Sequence, residues 1–216
     1  MKKAILPFLA LMILGSCNDS KADVKESSKE EIQNTETDKV VAVENYLNTP
    51  TQIKLNATNF ILSWSSHPSE NYYKQEYIPQ NDELETYKEM ISVDLVTGPL
   101  TAKDAVDQKI QEIEARKATD RVSNYALKED KETRELILDF MMSEGSGEST
   151  ILEWNVYRYA NYEDAAGNKG ISLFSLSKRG YGIGVAQFGP DIRDNRPKYM
   201  ADFIALPRPT ISLNKK

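Results

Sequence analysis

The sequence changes character at Tyr46, and that boundary limits what the chain can build. Between Asn18 and Asn45 there is no aromatic residue; eight acidic side chains and four lysines sit among Ser, Asn and Thr. Such a segment cannot bury enough apolar surface to offset its chain entropy, so residues 17–45 are expected to be a disordered acidic tether. As a flexible chain it would reach about 30 Å. Residues 46–216, by contrast, carry both tryptophans and all eleven tyrosines. They are long enough for one core, and a single domain is expected there.

Within that domain, short apolar alternations are separated by turn residues. Phe60–Trp64 and Asn71–Ile78 read as two strands of a hairpin, with Ser65-Ser66-His67-Pro68-Ser69 as its turn. Glu89–Val96 follows as a strand in which Ile91, Val93 and Leu95 alternate with Ser92, Asp94 and Val96. One long helix is expected over about 101–118. Thr101 supplies a cap, Asp104 lies in the first turn, and Ala102, Val106, Ile110 and Ile113 make one apolar stripe. Arg121–Lys128, Arg134–Ser143, Ser149–Tyr159 and Gly170–Arg179 read as further strands. A helix over Pro190–Ile204, interrupted or bent at Pro197, ends the chain's regular structure. The order gives an α+β domain: a mainly antiparallel sheet with the long helix and a C-terminal helix packed against it. This element order is loosely similar to the Mog1/PsbP-like arrangement, which includes bacterial lipoproteins of the DcrB type.

The first sixteen residues read as a leader. Lys2 and Lys3 precede an apolar run from Ala4 to Leu14, about half the ~20 residues that a spanning helix needs. Leu14-Gly15-Ser16-Cys17 then resembles the lipobox of bacterial lipoproteins. In that family the Cys is acylated and becomes the mature N-terminus after signal peptidase II cleavage. The resemblance implies lipidation at Cys17, membrane attachment through that N-terminal lipid, and a place in the cell envelope, at the outer membrane on its periplasmic face or the cell surface. Acidic residues soon after the Cys resemble the export signals of bacterial surface lipoproteins. The full chain carries −6, from 27 basic and 33 acidic residues. Without Lys2 and Lys3 the balance is 25 against 33, or −8, and half of that excess lies in the tether. This argues against nucleic acid as a partner.

One Cys and one His exclude an intrachain disulfide framework and a Cys- and His-rich zinc site, and no cofactor is expected. His67, placed before Pro68 in the expected turn, has no Gly-x-Ser-x-Gly partner motif. Gly180-Tyr181-Gly182-Ile183-Gly184 lacks the third glycine of a dinucleotide loop. As a strand, it would present a bare face of Gly180, Gly182, Gly184 and Ala186 for close packing.

Charged residues inside apolar strands remain as candidates for contact with a ligand or partner: Asp139, Glu153, Arg158 and Arg179, with Tyr157 beside them, and Glu76 between Tyr73 and Tyr77 belongs to the same group. On neighbouring strands they could form one Arg–carboxylate network on one face. The competing reading is a solvent-facing side of a sheet with weak cross-strand ion pairs. Two rows of tyrosines (Tyr72, Tyr73 and Tyr77; Tyr157, Tyr159 and Tyr162) suit either glycan or protein contact, or half-buried cross-strand pairing. The resulting expectation is a non-enzymatic binding or accessory module with an envelope protein or glycan as partner. A hydrolase or transferase using Asp139 and Glu153, and an inhibitor or immunity-type protein, are the alternatives.

Overall fold

The structure, a computed structural model, describes residues 42–213. The leader, Cys17 and nearly all of the expected tether lie outside the described residues. From Val43 onward the chain falls into one compact unit.

Among the described residues, eight antiparallel strands form a single sheet: β1 (Gln52–Leu55), β2 (Thr58–Ser69), β3 (Tyr72–Pro79), β4 (Glu89–Thr97), β5 (Asn124–Glu129), β6 (Leu136–Glu144), β7 (Ile151–Glu163) and β8 (Lys169–Tyr181). Their order is β1-β2-β3-β4-β8-β7-β6-β5. Two four-stranded meanders are therefore joined along the β4–β8 seam. The one long connection, from β4 to the far edge at β5, carries helix α1 (Ala102–Arg116). Helix α2 (Val185–Ile204) follows β8 and is the longer of the two.

The start of α1 follows from its sequence. Thr101 is the N-cap, its side chain accepts from Asp104 N, and Asp104 accepts in return from Thr101 N. Two amides that a helix start leaves unpaired are thereby satisfied. Ala102, Val106 and Ile113 are buried as the stripe requires; Lys109 is buried too, whereas Ile110 is only partly so. The methylenes of Lys109 lie along apolar surface, its Nζ sits 5.8 Å from the Phe140 ring centroid, and Glu112 takes its charge at 2.6 Å.

Three expectations are corrected. The β2–β3 turn is Glu70-Asn71, so His67 lies inside β2 rather than in a turn. There its ring stacks on Tyr73 at 3.9 Å, and Nδ1 lies 3.0 Å from Tyr72 O. The glycine run is not a strand: β8 stops at Tyr181, Gly182 takes φ +50° in a single 3-10 turn, and α2 begins at Val185. Finally, α2 starts before Pro190 and runs through both Pro190 and Pro197. Each interior proline costs roughly 3 kcal/mol in an isolated helix, and packing of Ile192, Met200 and Phe203 into the core offsets it. Gly180 does serve close packing: a Cβ there would lie 2.5 Å from Phe188 Cβ on α2. β1 has no counterpart among the expected strands; its only turn signal is Asn56, which adopts φ +54°.

The two helices lie on opposite faces of the sheet. Facing α2 is the main apolar core, built on Phe60, Leu62, Tyr77, Val93, Trp154 and Phe174. The β2 register jumps between Leu62↔Tyr77 and Trp64↔Glu76, so Ser63 is an extra residue. That bulge sends Trp64 to the α1 side, where simple alternation would have kept it beside Leu62.

Candidate functional site

The charged strand residues do not converge on one face, and they do not face solvent. Register pairs Asp139 with Val156 and Ile137 with Arg158, which puts Asp139 and Arg158 on the α2 side. Glu153 pairs with Arg179, and Tyr157 with Ser175, on the α1 side. Both sequence readings are therefore corrected: there is no single network, and Asp139, Glu153 and Arg158 are each at most 8 % exposed. Period-two alternation explains the split, since β7 sends odd- and even-numbered residues to opposite faces.

On the α2 side the charges act as clamps. Asp139 accepts from the Trp154 indole at 2.6 Å and from Arg196 Nε at 2.7 and 3.0 Å, tying the middle of α2 to the sheet. Arg158 donates to Glu135 at 2.8 Å and to the carbonyls of Phe203 and Leu206 at 3.2 and 2.7 Å. A cation at the last carbonyls of α2 meets the negative end of the helix dipole. Arg208 donates to the other Glu135 oxygen at 2.8 Å and to Arg158 O at 2.8 Å. Burial alone would raise the Glu135 pKa, yet Arg158 and Arg208 outweigh it and hold the carboxyl below its usual range. Burial, with Arg158 close by, pulls the Arg208 guanidinium the other way, below its ordinary value.

The α1 side carries the more unusual chemistry. Along β3, β4 and β8, the polar side chains on this face include Lys74 and Glu76, Ser92 and Asp94, and Ser175 and Ser177. Lys74 Nζ lies 2.6 Å from Glu76 Oε1, and both residues are buried. Asp94 accepts from Tyr72 OH at 2.8 Å and from Ser92 Oγ at 3.1 Å, and Ser92 Oγ meets Ser175 Oγ at 2.6 Å. Further along, Arg179 pairs with Glu153, whose other oxygen accepts from Asn155 at 2.9 Å; Ser177 donates to Asn155 at 2.5 Å. The Arg179 guanidinium lies 4.3 Å from the Tyr87 ring centroid, and Tyr181 OH donates to Tyr87 O at 2.8 Å. Three carboxyls thus share a buried face with two cations. Burial pushes the Asp94 carboxyl above its usual range, although Lys74 opposes the shift. Burial also raises the hydroxyls of Tyr72, Tyr87 and Tyr157 above their ordinary value.

Of the residues named from the sequence, Glu76, Glu153, Tyr157 and Arg179 belong to this cluster; Asp139 and Arg158 do not. Nothing in the sequence joins Lys74, Ser92 and Asp94 to Glu76. Their alternation with Gln75, Val93 and Leu95 is that of a strand with one wet face, and nothing in it tells a solvated face from a second buried layer. Among the described residues no group of three or more His, Cys, Asp or Glu is arranged to hold a metal, and no helix is long and apolar enough to cross a membrane. At one end of the sheet, the β2–β3, β4–α1 and β7–β8 turns border an open groove that includes Asn71, Gly98 and Lys169.

A protein-family model matches residues 47–207. No curated protein and no solved structure matches the chain.

Proposed function

Taking as premise that the chain belongs to the family whose model spans residues 47–207, we propose that it is a lipid-anchored lipoprotein of the cell envelope whose domain is a binding or accessory module. The observation that carries the anchored reading is Leu14-Gly15-Ser16-Cys17, placed behind Lys2, Lys3 and a short apolar run. Two or three acyl chains, at about 0.8 kcal/mol per buried methylene, hold a protein durably on a bilayer. The Mog1/PsbP-like likeness belongs to the same reading and rests on element order.

A binding role is favoured over the carboxylate hydrolase or transferase by the placement of the charges. Asp139 and Glu153 sit on opposite faces of the sheet, and each is engaged by an arginine and a second donor. A pair of carboxylates flanking one substrate cannot be made from them. The partner would be an envelope protein or glycan.

Cys17→Ser is the direct test of the anchor: the full-length variant should leave the membrane fraction and lose labelling by a palmitate analogue. Membrane partitioning unchanged by the substitution would end the anchored reading. For the module, the lipidated protein is used as bait in detergent-solubilised envelopes. Recovery of a stoichiometric partner supports binding, whereas turnover of an envelope polymer by the pure protein reverses the assignment.

A further inference from the structure

The apolar sheet face is not closed by α2 alone. Beyond α2 the chain continues without regular structure from Leu206 to Leu213, and Leu206, Ile211 and Leu213 pack against the core. The entering chain does the same from the other terminus: Leu47 is fully buried in this core and Val43 packs on it. Pro207 and Pro209 deny the C-terminal segment a helix or a full strand ladder. It is held by a few discrete bonds.

At one end Arg208 is the pin. It joins Glu135, Arg158 O and Ser172, and so ties the segment to the β5–β6 turn, to β7 and to β8. At the other end the two terminal segments bond to each other. Ser212 N donates to Leu47 O at 3.0 Å, and Asn48 Nδ2 donates to Ser212 O at 2.8 Å. Leu47 N in turn donates to Gln75 Oε1 at 2.8 Å, and Thr49 N to Asn45 Oδ1 at 3.2 Å. Neither segment adds a strand to the sheet.

We propose that residues 43–49 and 206–213 form one cooperative strap over the apolar face, latched by Arg208, which opens as a unit while the sheet stays folded. The segment through which the chain enters the domain is thereby linked to the cover of the β2–β4 apolar face. Release of either terminal segment frees the other. Local units of this kind, with few ladder bonds and a dependence on a handful of side chains, open below the global unfolding free energy. The proposal does not depend on lipidation at Cys17.

Residue-resolved amide hydrogen exchange on the full chain tests it, comparing the native sequence with Arg208→Ala. Exchange at Leu47, Thr49 and Ser212 should speed up together, by about tenfold or more, with amides of the β6–β7 ladder unchanged. Acceleration at Ser212 without Leu47 and Thr49 would show two independent segments and overturn the proposal. Equal acceleration throughout β6 and β7 would do so as well, by making the strap part of the global unit; no acceleration anywhere would remove Arg208 as the latch. Should Arg208→Ala fail to fold, Ser212→Pro deletes the donor to Leu47 O at the opposite end. Leu47 and Thr49 must then exchange about tenfold faster for the strap to stand.

Discussion

Asp94 shows how one side chain can set the pH behaviour of a buried layer. Its folded pKa is raised chiefly by burial, so its contribution to stability is complete below the unfolded value of about 3.9 and is lost as pH rises through the folded value. Asp94→Asn removes the charge and keeps one acceptor oxygen, so it can still accept from Tyr72 or Ser92 but not from both. Relative to wild type, the variant should gain stability as pH rises from acid to neutral, read from urea midpoints across that range. A variant that loses ground toward neutral pH would show that the ionised carboxylate is stabilising. Asp139 behaves differently, because its oxygens serve two donors on separate elements. Asp139→Ala leaves the fully buried Trp154 indole without an acceptor and frees Arg196, at a cost of about 2–3 kcal/mol. A denaturation midpoint equal to wild type would mean that α2 does not rely on this clamp.

At the scale of elements, the two helices are secured in different ways. The start of α1 is local: Thr101→Ala should cost about 1 kcal/mol by removing the cap, measurable by urea unfolding. That helix was readable because cap, first-turn carboxylate and apolar stripe lie within four turns of chain. The position of α2 is tertiary. Its two prolines speak against a continuous helix, yet Phe188 against Gly180, Arg196 on Asp139 and Arg158 on the last carbonyls hold it in one piece. Gly180→Val pushes a branched side chain, Cβ first, into Phe188 and should cost about 1–3 kcal/mol, with loss of near-UV aromatic signal as α2 lifts. Retention of that signal and of the unfolding midpoint would show that α2 can shift without loss.

For the whole molecule, the acid limb of stability is set by groups opposite in sign to Asp94. Glu135 and Asp120 lie below their usual ranges: burial works against this, and the arginines in one case and Ser143 in the other overcome it. Their contribution is present above the unfolded carboxyl values near 4 and vanishes as pH falls through the folded ones. Glu135→Gln should therefore flatten the fall in stability below about pH 4, leaving a remainder from Asp120. An acid limb of unchanged slope would assign the transition elsewhere.

Seven of the eight strands, the mainly antiparallel sheet and the capped start of α1 follow from the sequence by itself, and the proposal of an anchor rests on the sequence around Cys17 alone. These depend on neighbours a few residues apart, where periodicity, capping and turn chemistry act. Only the tertiary structure decided which buried charges meet. The β4–β8 seam joins residues some eighty positions apart, and the Ser63 bulge turns Trp64 to the other face. Register therefore places Glu153 with Arg179 and Arg158 with Glu135, on opposite sides of one sheet. Alternation marks which residues share a face of a strand, but not which face a helix covers or what lies across the seam. For that reason the alternation around Lys74, Glu76 and Asp94 cannot tell a solvated face from the buried layer they form in the fold.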